Sequence, residues 1–214
     1  MKNKVQYYIC PTSGRRVIQS NSIPDHSIKQ GNDNIPCERL TYVDLPLQPT
    51  KSARRTEAPP IGIIGIATNG VHLFGAQEAA GGNAIDHNGT FKDARFWYGH
   101  ATQSKVAHYH NPSAGHDPGT SPAGEDELIG WALDGYGIYG FTDKELDECN
   151  GREGPGGYQY HVRHPDKWNA MECWDEEVAP DYCSDNETLA GASFLLVAGH
   201  LAICCRWVCD FMKA

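Results

Sequence analysis

Histidine is the residue whose placement in this chain could do chemistry. Eight of the ten histidines fall between His72 and His164. His108 and His110 stand at i and i+2 in the run Ala107-His108-Tyr109-His110. Side chains alternate faces along a strand, so these two imidazoles project from one face and can chelate a single ion. His100, 10 residues before His110, offers a third nitrogen. Three imidazoles with one open position are a common catalytic zinc set, and imidazole also suits copper and iron. The spacing therefore predicts a copper or zinc ion on His100, His108 and His110. Ligation needs neutral rings, and each ring's remaining N–H needs an acceptor, for which Asp25 and Asp134 are candidates. Tyr109 points to the opposite face and is expected to pack. A His-Tyr-His strand equally fits a structural role, with imidazole and phenol groups hydrogen-bonding loops.

An internal repeat supplies the elements that would position these residues. Gly65-Ile66-Ala67-Thr68-Asn69-Gly70-Val71-His72-Leu73-Phe74-Gly75 matches Gly130-Trp131-Ala132-Leu133-Asp134-Gly135-Tyr136-Gly137-Ile138-Tyr139-Gly140. Asn-Gly and Asp-Gly between apolar runs are strong hairpin signals, because a type I′ turn needs positive φ at both central residues. Two β-hairpins are predicted. Each is followed by an aromatic–histidine segment: Gly99-His100 with Ala107-His108-Tyr109-His110, then Gly151-Arg152 with Tyr158-Gln159-Tyr160-His161. His161 thus corresponds to His110 and joins the candidate ligands, while Gln159 and Arg152 replace His108 and His100. The ordinary role of Asp134 is the turn itself. Thr142 to Cys149 reads as a short capped helix. Residues 45–60, with Pro46, Pro49, Pro59 and Pro60, read as extended and linker-like.

The predicted fold is mainly β: a single loop-rich domain with two duplicated hairpin units, at 62–110 and 127–161, short helices and supporting disulfides. Residues 1–60 are expected to form an extended arm and strand, 61–175 the core domain, and 176–214 a tail. The 23 Gly and 13 Pro disfavour a helical bundle. Residues 61–188 carry 21 Asp and Glu against 7 Lys and Arg, so this body repels phosphate backbones and nucleic-acid binding is excluded.

The cysteines and the two ends bear on location. Eight Cys occur with no C-x-x-C pair, which removes zinc-finger and thioredoxin readings. An even count in a loop-rich chain fits disulfides and an oxidising compartment. The pairs that bracket loop-rich stretches are Cys10–Cys37 and Cys149–Cys173; buried thiols are the alternative. The N-terminus shows no apolar signal-peptide core. Sequons at Asn88 and Asn186 are glycosylation candidates. Leu189 to Cys205 is apolar except for His200, and 17 residues is the lower edge of a membrane span. It reads either as a membrane association segment or as a buried terminal helix.

Several segments together resemble the YHYH-domain family. They are Ser20-Asn21-Ser22-Ile23-Pro24-Asp25-His26, Asn69-Gly70-Val71, Gly99-His100, His108-Tyr109-His110, Ile129 to Gly140, Leu146 to Arg152, and Tyr158-Gln159-Tyr160-His161-Val162. They run in family order over most of the chain. The resemblance implies a secreted or surface-exposed domain with no established reaction. It also draws in His26 as a further candidate ligand. Two departures stand out: Ala107 replaces the family's first Tyr, and Trp97 lies near a position where the family often has Cys, which implies a missing disulfide in the first half.

Two functional expectations follow. One is an extracellular or surface metal-binding domain, which would extend to a metalloenzyme if its open position reacts. The other is a non-catalytic adhesion or partner-binding module with structural His and Tyr. No G-x-S-x-G, Walker or H-E-x-x-H motif supports a standard hydrolase, nucleotide or zincin assignment. No feature specifies a small-molecule or polymer ligand.

Overall fold

The computed structural model describes residues 1–26, 34–52, 54–75, 77, 99–110, 123–162 and 173–174. It is mainly β, and no helix occurs among the described residues. The first sheet has three antiparallel strands, β1 (Val5–Cys10), β2 (Arg15–Ser20) and β3 (Thr41–Pro46), in that order. The segment expected as an extended arm and strand therefore folds in large part as a sheet. Ile18, Val43 and Leu45 from it join the same core as Ile64, Leu73, Tyr109, Ile138 and Tyr160.

The second sheet has eight strands: β5 (Ile63–Ala67), β6 (His72–Phe74), β7 (Gly99–Ala101), β8 (Ala107–Tyr109), β9 (Leu128–Ala132), β10 (Gly137–Tyr139), β11 (Gly151–Gly154) and β12 (Gly157–His161). Their order is β11-β12-β10-β9-β5-β6-β8-β7. A short two-stranded ladder pairs β4 (Thr56–Glu57), which precedes this sheet in the chain, with β13 (Cys173–Trp174), which follows it. The eight-stranded order reads the same outward from its centre in both directions. Hairpin β5–β6 continues through a parallel pair, β6–β8, to an antiparallel pair, β8–β7. Hairpin β9–β10 continues through parallel β10–β12 to antiparallel β12–β11.

The two halves meet where β5 pairs with β9, centred on Ile66 opposite Trp131. Thr68 N donates to Ile129 O and Leu133 N to Ile64 O, one bond on each side of that centre. Gly65 and Gly130 flank it. A Cβ at either would collide with the carbonyl of the facing strand, so only glycine allows this approach.

The hairpins form where expected, but their turns are not type I′. Gly70 has φ 79 and Gly135 has φ 95, while Asn69 and Asp134 are not among the residues with positive φ. Each loop has three residues, with glycine alone in the left-handed position, and is closed by Ala67 N to Val71 O or Ala132 N to Tyr136 O. The reason is side-chain chemistry. Asn69 Oδ1 accepts from Val71 N and Asp134 Oδ1 from Tyr136 N, each two residues on.

The predicted helix over Thr142 to Cys149 is absent. Asp147 Oδ1 instead accepts from the amides of Cys149 and Gly151, while its Oδ2 takes Tyr158 Oη and Arg55. A carboxylate that captures nearby amides competes with a helix and wins here. The Cys10–Cys37 pairing is also corrected: both residues stand as thiols. Cys10 lies at the β1–β2 turn, paired with Arg15, whereas Cys37 precedes β3, which starts opposite Ser20 at the far end of β2. The six residues of β2 span roughly 20 Å, beyond disulfide reach. The side chain of Cys173, Asn88, Asn186 and the apolar run Leu189–Cys205 all lie outside the described residues.

Candidate metal centre

Strand β8 is the middle of a row. His108 pairs with His72 of β6 on one side and with His100 of β7 on the other. Residues paired across neighbouring strands share a face, so all three imidazoles stand on one side of the sheet, with His110 two residues further along. Tyr109, between them, turns to the other face and is fully buried in the core. Its hydroxyl receives Asn69 Nδ2 at 2.9 Å and lies 2.6 Å from His26 Nε2. The alternation expected from sequence is the alternation found.

His100, His108 and His110 converge. Each can offer a ring nitrogen such that all three lie within 4.8 Å of one another. The Nε2 atoms of His108 and His110 are 3.0 Å apart. Their opposite nitrogens face backbone carbonyls: His110 Nδ1 lies 2.7 Å from Gly75 O, His100 Nδ1 3.2 Å from Ala101 O, and His108 Nδ1 3.5 Å from Val106 O. The strongest of these contacts fixes the tautomer of His110. With Nδ1–H donated to Gly75, Nε2 carries a bare lone pair aimed at a second imidazole. One proton can bridge two such nitrogens, but not three. Three convergent donors are what a cation needs.

Burial sets the charge of these rings. His108 is held well below the ordinary imidazole range, first by desolvation and then by His110 and His100. The His108 ring therefore stays neutral, the form that ligates a metal. Phe74 packs over the same place, its ring centroid 4.2 Å from His108 and 6.1 Å from His110. His100 is only partly buried and sits on β7, at the edge of the sheet, which gives the cluster a solvent side.

The remaining predicted residues fall elsewhere. His161 occupies the matching place in the other half. Its Nδ1 lies 2.9 Å from Gly140 O and its Nε2 2.8 Å from the Gln159 amide nitrogen. Desolvation lowers its pKa as well. Arg152, paired with Gln159 as His100 is with His108, donates to Glu125 at 2.9 Å, and Lys144 also reaches Glu125. His26 stacks on Tyr109, on the far side of β8 from the three rings. Asp134 accepts from Tyr160 Oη at 2.6 Å, and Asp25 accepts from Asn69 Nδ2 at 2.9 Å. The acceptors described at the cluster are main-chain carbonyls, where carboxylates were expected. Strand ends supply such carbonyls without any sequence signature.

The residue that sequence reasoning missed is His72. It is buried, and its Nε2 has no hydrogen-bond partner among the described residues. Its pKa is lowered to about 4 by desolvation. Its place on the hairpin was legible, but its pairing with His108 depends on a parallel crossover that no local pattern encodes.

Comparison with known proteins agrees with the motifs. A family profile described as YHYH protein matches residues 42–193. No curated protein and no solved structure matches the chain. The match covers both hairpins, the histidine row and its counterpart across the sheet, and the chain belongs to the YHYH family.

Proposed function

We propose that this chain is a metal-binding domain that holds one copper or zinc ion through His100, His108 and His110. The observation that carries this reading is the convergence of three ring nitrogens within 4.8 Å, two of them 3.0 Å apart, over backbone carbonyls. Nitrogens about 2.0–2.1 Å from a shared ion lie roughly 3 Å from one another, so the His108–His110 spacing fits ligation directly. Three imidazoles leave a fourth position open for a further ligand from solvent. That is the arrangement of a reactive centre, and a metalloenzyme is the finer form of the proposal.

We also propose that the two halves descend from one duplicated unit. Matching registers, turns, Tyr–Asx contacts and histidine–carbonyl contacts support it. A disulfide at Cys149, with Cys173 the candidate partner, belongs to the same reading. Cys149 is fully buried, and such a bond there would go with an oxidising location at the cell surface or outside the cell.

Elemental analysis and copper or zinc titration of the purified chain test the site. Wild type should carry or take up one ion per chain. His108→Ala with His110→Ala should bind none while keeping its β spectrum. An intact double variant that keeps its ion, or a wild type that binds none, would falsify the metal reading and favour an adhesion module with structural histidines.

A further inference from the structure

We propose that His72 accepts a hydrogen bond from a water bound at the open position of the ion on His100, His108 and His110. The inference rests on the metal-binding reading and extends it to a residue outside the ligand set.

Its position comes first. His72 stands beside His108 in the β6–β8 register, on the same face as His100 and on the opposite side of His108 from it. Phe74, two residues on, reaches the same face and contacts the rings of His108 and His110. His72 therefore flanks the cluster from within the sheet, while His100 flanks it from the edge.

Its chemistry comes second. His72 Nε2 is buried and has no donor or acceptor among the described residues. A buried polar nitrogen without a partner is costly, and native structures rarely leave one. A neutral imidazole keeps one bare ring nitrogen as an acceptor. Something with an O–H or N–H has to meet it. Its ring nitrogens do not belong to the group whose atoms lie within 4.8 Å of one another, so it is placed outside the ligands. A water held about 2 Å from the ion and donating across about 2.8 Å spans such an offset.

The other half of the sheet gives the third argument. Ile66 pairs with His72, and Trp131 pairs with Gly137, so glycine occupies the matching place. The ring of Tyr139 lies over Gly137 and fills that space. There Gln159 supplies an amide nitrogen to His161, which needs no cation and no bound water. The half with three convergent imidazoles has the additional buried acceptor, and the half without them does not.

Cobalt(II) loading of the full chain, followed by azide titration of its visible bands, tests this with His72→Phe and His72→Gln. Azide carries no proton for His72, so in wild type it must displace a water that His72 stabilises. His72→Phe should keep cobalt affinity within about threefold and bind azide about fivefold more tightly, the factor one net hydrogen bond supplies. His72→Gln, whose amide oxygen still accepts, should return towards wild type. Should the Phe variant fail to fold, His72→Leu makes the same comparison. A larger loss of cobalt affinity in the Phe or Leu variant makes His72 a direct ligand and overturns the proposal. Unchanged azide affinity overturns it too, while leaving the three-histidine site standing. A wild type that takes up no cobalt overturns both.

Discussion

The two halves of the eight-stranded sheet build the same backbone and solve one electrostatic problem in different ways. In both, a histidine at the end of the third strand of the half lies close to the carbonyl of a glycine that ends the hairpin, Gly75 for His110 and Gly140 for His161. In both, the ring therefore aims its other nitrogen inward. The second half meets that nitrogen with the amide of Gln159, and its neighbouring strand carries Arg152, already paired with Glu125. The first half meets it with another imidazole and adds a third from His100. A fixed donor closes one site with protein atoms alone. Three clustered imidazoles give the other site a set of nitrogens that could hold a cation.

The largest expected effect comes from converting one half into the other. Arg152→His with Gln159→His places imidazoles at the positions matching His100 and His108, while His161 is already in place. Metal uptake should rise from one to two ions per chain. Glu125 loses Arg152 but keeps Lys144, so the change leaves no carboxylate stranded. Stoichiometry by elemental analysis is the measurement. A folded variant that still binds one ion would show that the halves share hydrogen bonds but not side-chain placement.

Acid should separate the halves next. In the metal-free chain, His72 ionises only near about 4 when folded and His108 well below its ordinary range. The unfolded chain takes up these protons below about pH 6.5, and the folded chain resists. Stability is therefore complete above about pH 6.5 and falls as pH drops towards 4, by about 3 kcal/mol from His72 alone. Urea midpoints at pH 7.5, 6 and 5 in excess chelator should fall in that order. Amide exchange in β6 and β8 should quicken before that in β10 and β12, where only His161 is lowered. A flat profile across this range would remove the buried, neutral imidazoles from the account.

What the sequence disclosed follows the same division between local and long-range physics. The hairpins, the shared face of His108 and His110, and the opposite face of Tyr109 are consequences of turn chemistry and strand alternation, and these act over a few residues. The turn type was misread because Asn69 and Asp134 can satisfy an amide two residues on without themselves adopting positive φ. The three-stranded sheet was missed because Val5 to Cys10 alternates poorly, with Tyr7 and Ile9 exposed. His72 was passed over because its significance comes from β6 lying parallel to β8, across a connection longer than any motif. The carbonyls of Gly75 and Ala101 were equally invisible, since every residue has one.

The smallest effect probes the buried contacts behind the two sites. Asn69 donates through Nδ2 to both Tyr109 Oη and Asp25 Oδ1, each at 2.9 Å. Its counterpart Asp134 accepts from Tyr160 Oη at 2.6 Å. Asn69→Asp would therefore copy the second half into the first. Tyr109 can adapt by donating its hydroxyl proton, as Tyr160 does, with His26 then donating to the phenol oxygen. Asp25 cannot adapt, because it loses its donor and faces a second carboxylate. The variant should lose about 1–2 kcal/mol, the cost of a broken buried hydrogen bond with a like charge beside it. Asp134→Asn should cost less than 1 kcal/mol by rough expectation, since the amide oxygen still accepts from Tyr160. Adding Asp25→Asn to Asn69→Asp restores an amide donor opposite the new carboxylate and should recover about 1 kcal/mol in a double-mutant cycle. Equal losses for Asn69→Asp and Asp134→Asn, with no coupling to Asp25, would mean that the turns are interchangeable. The asymmetry between the halves would then lie in the histidine row alone.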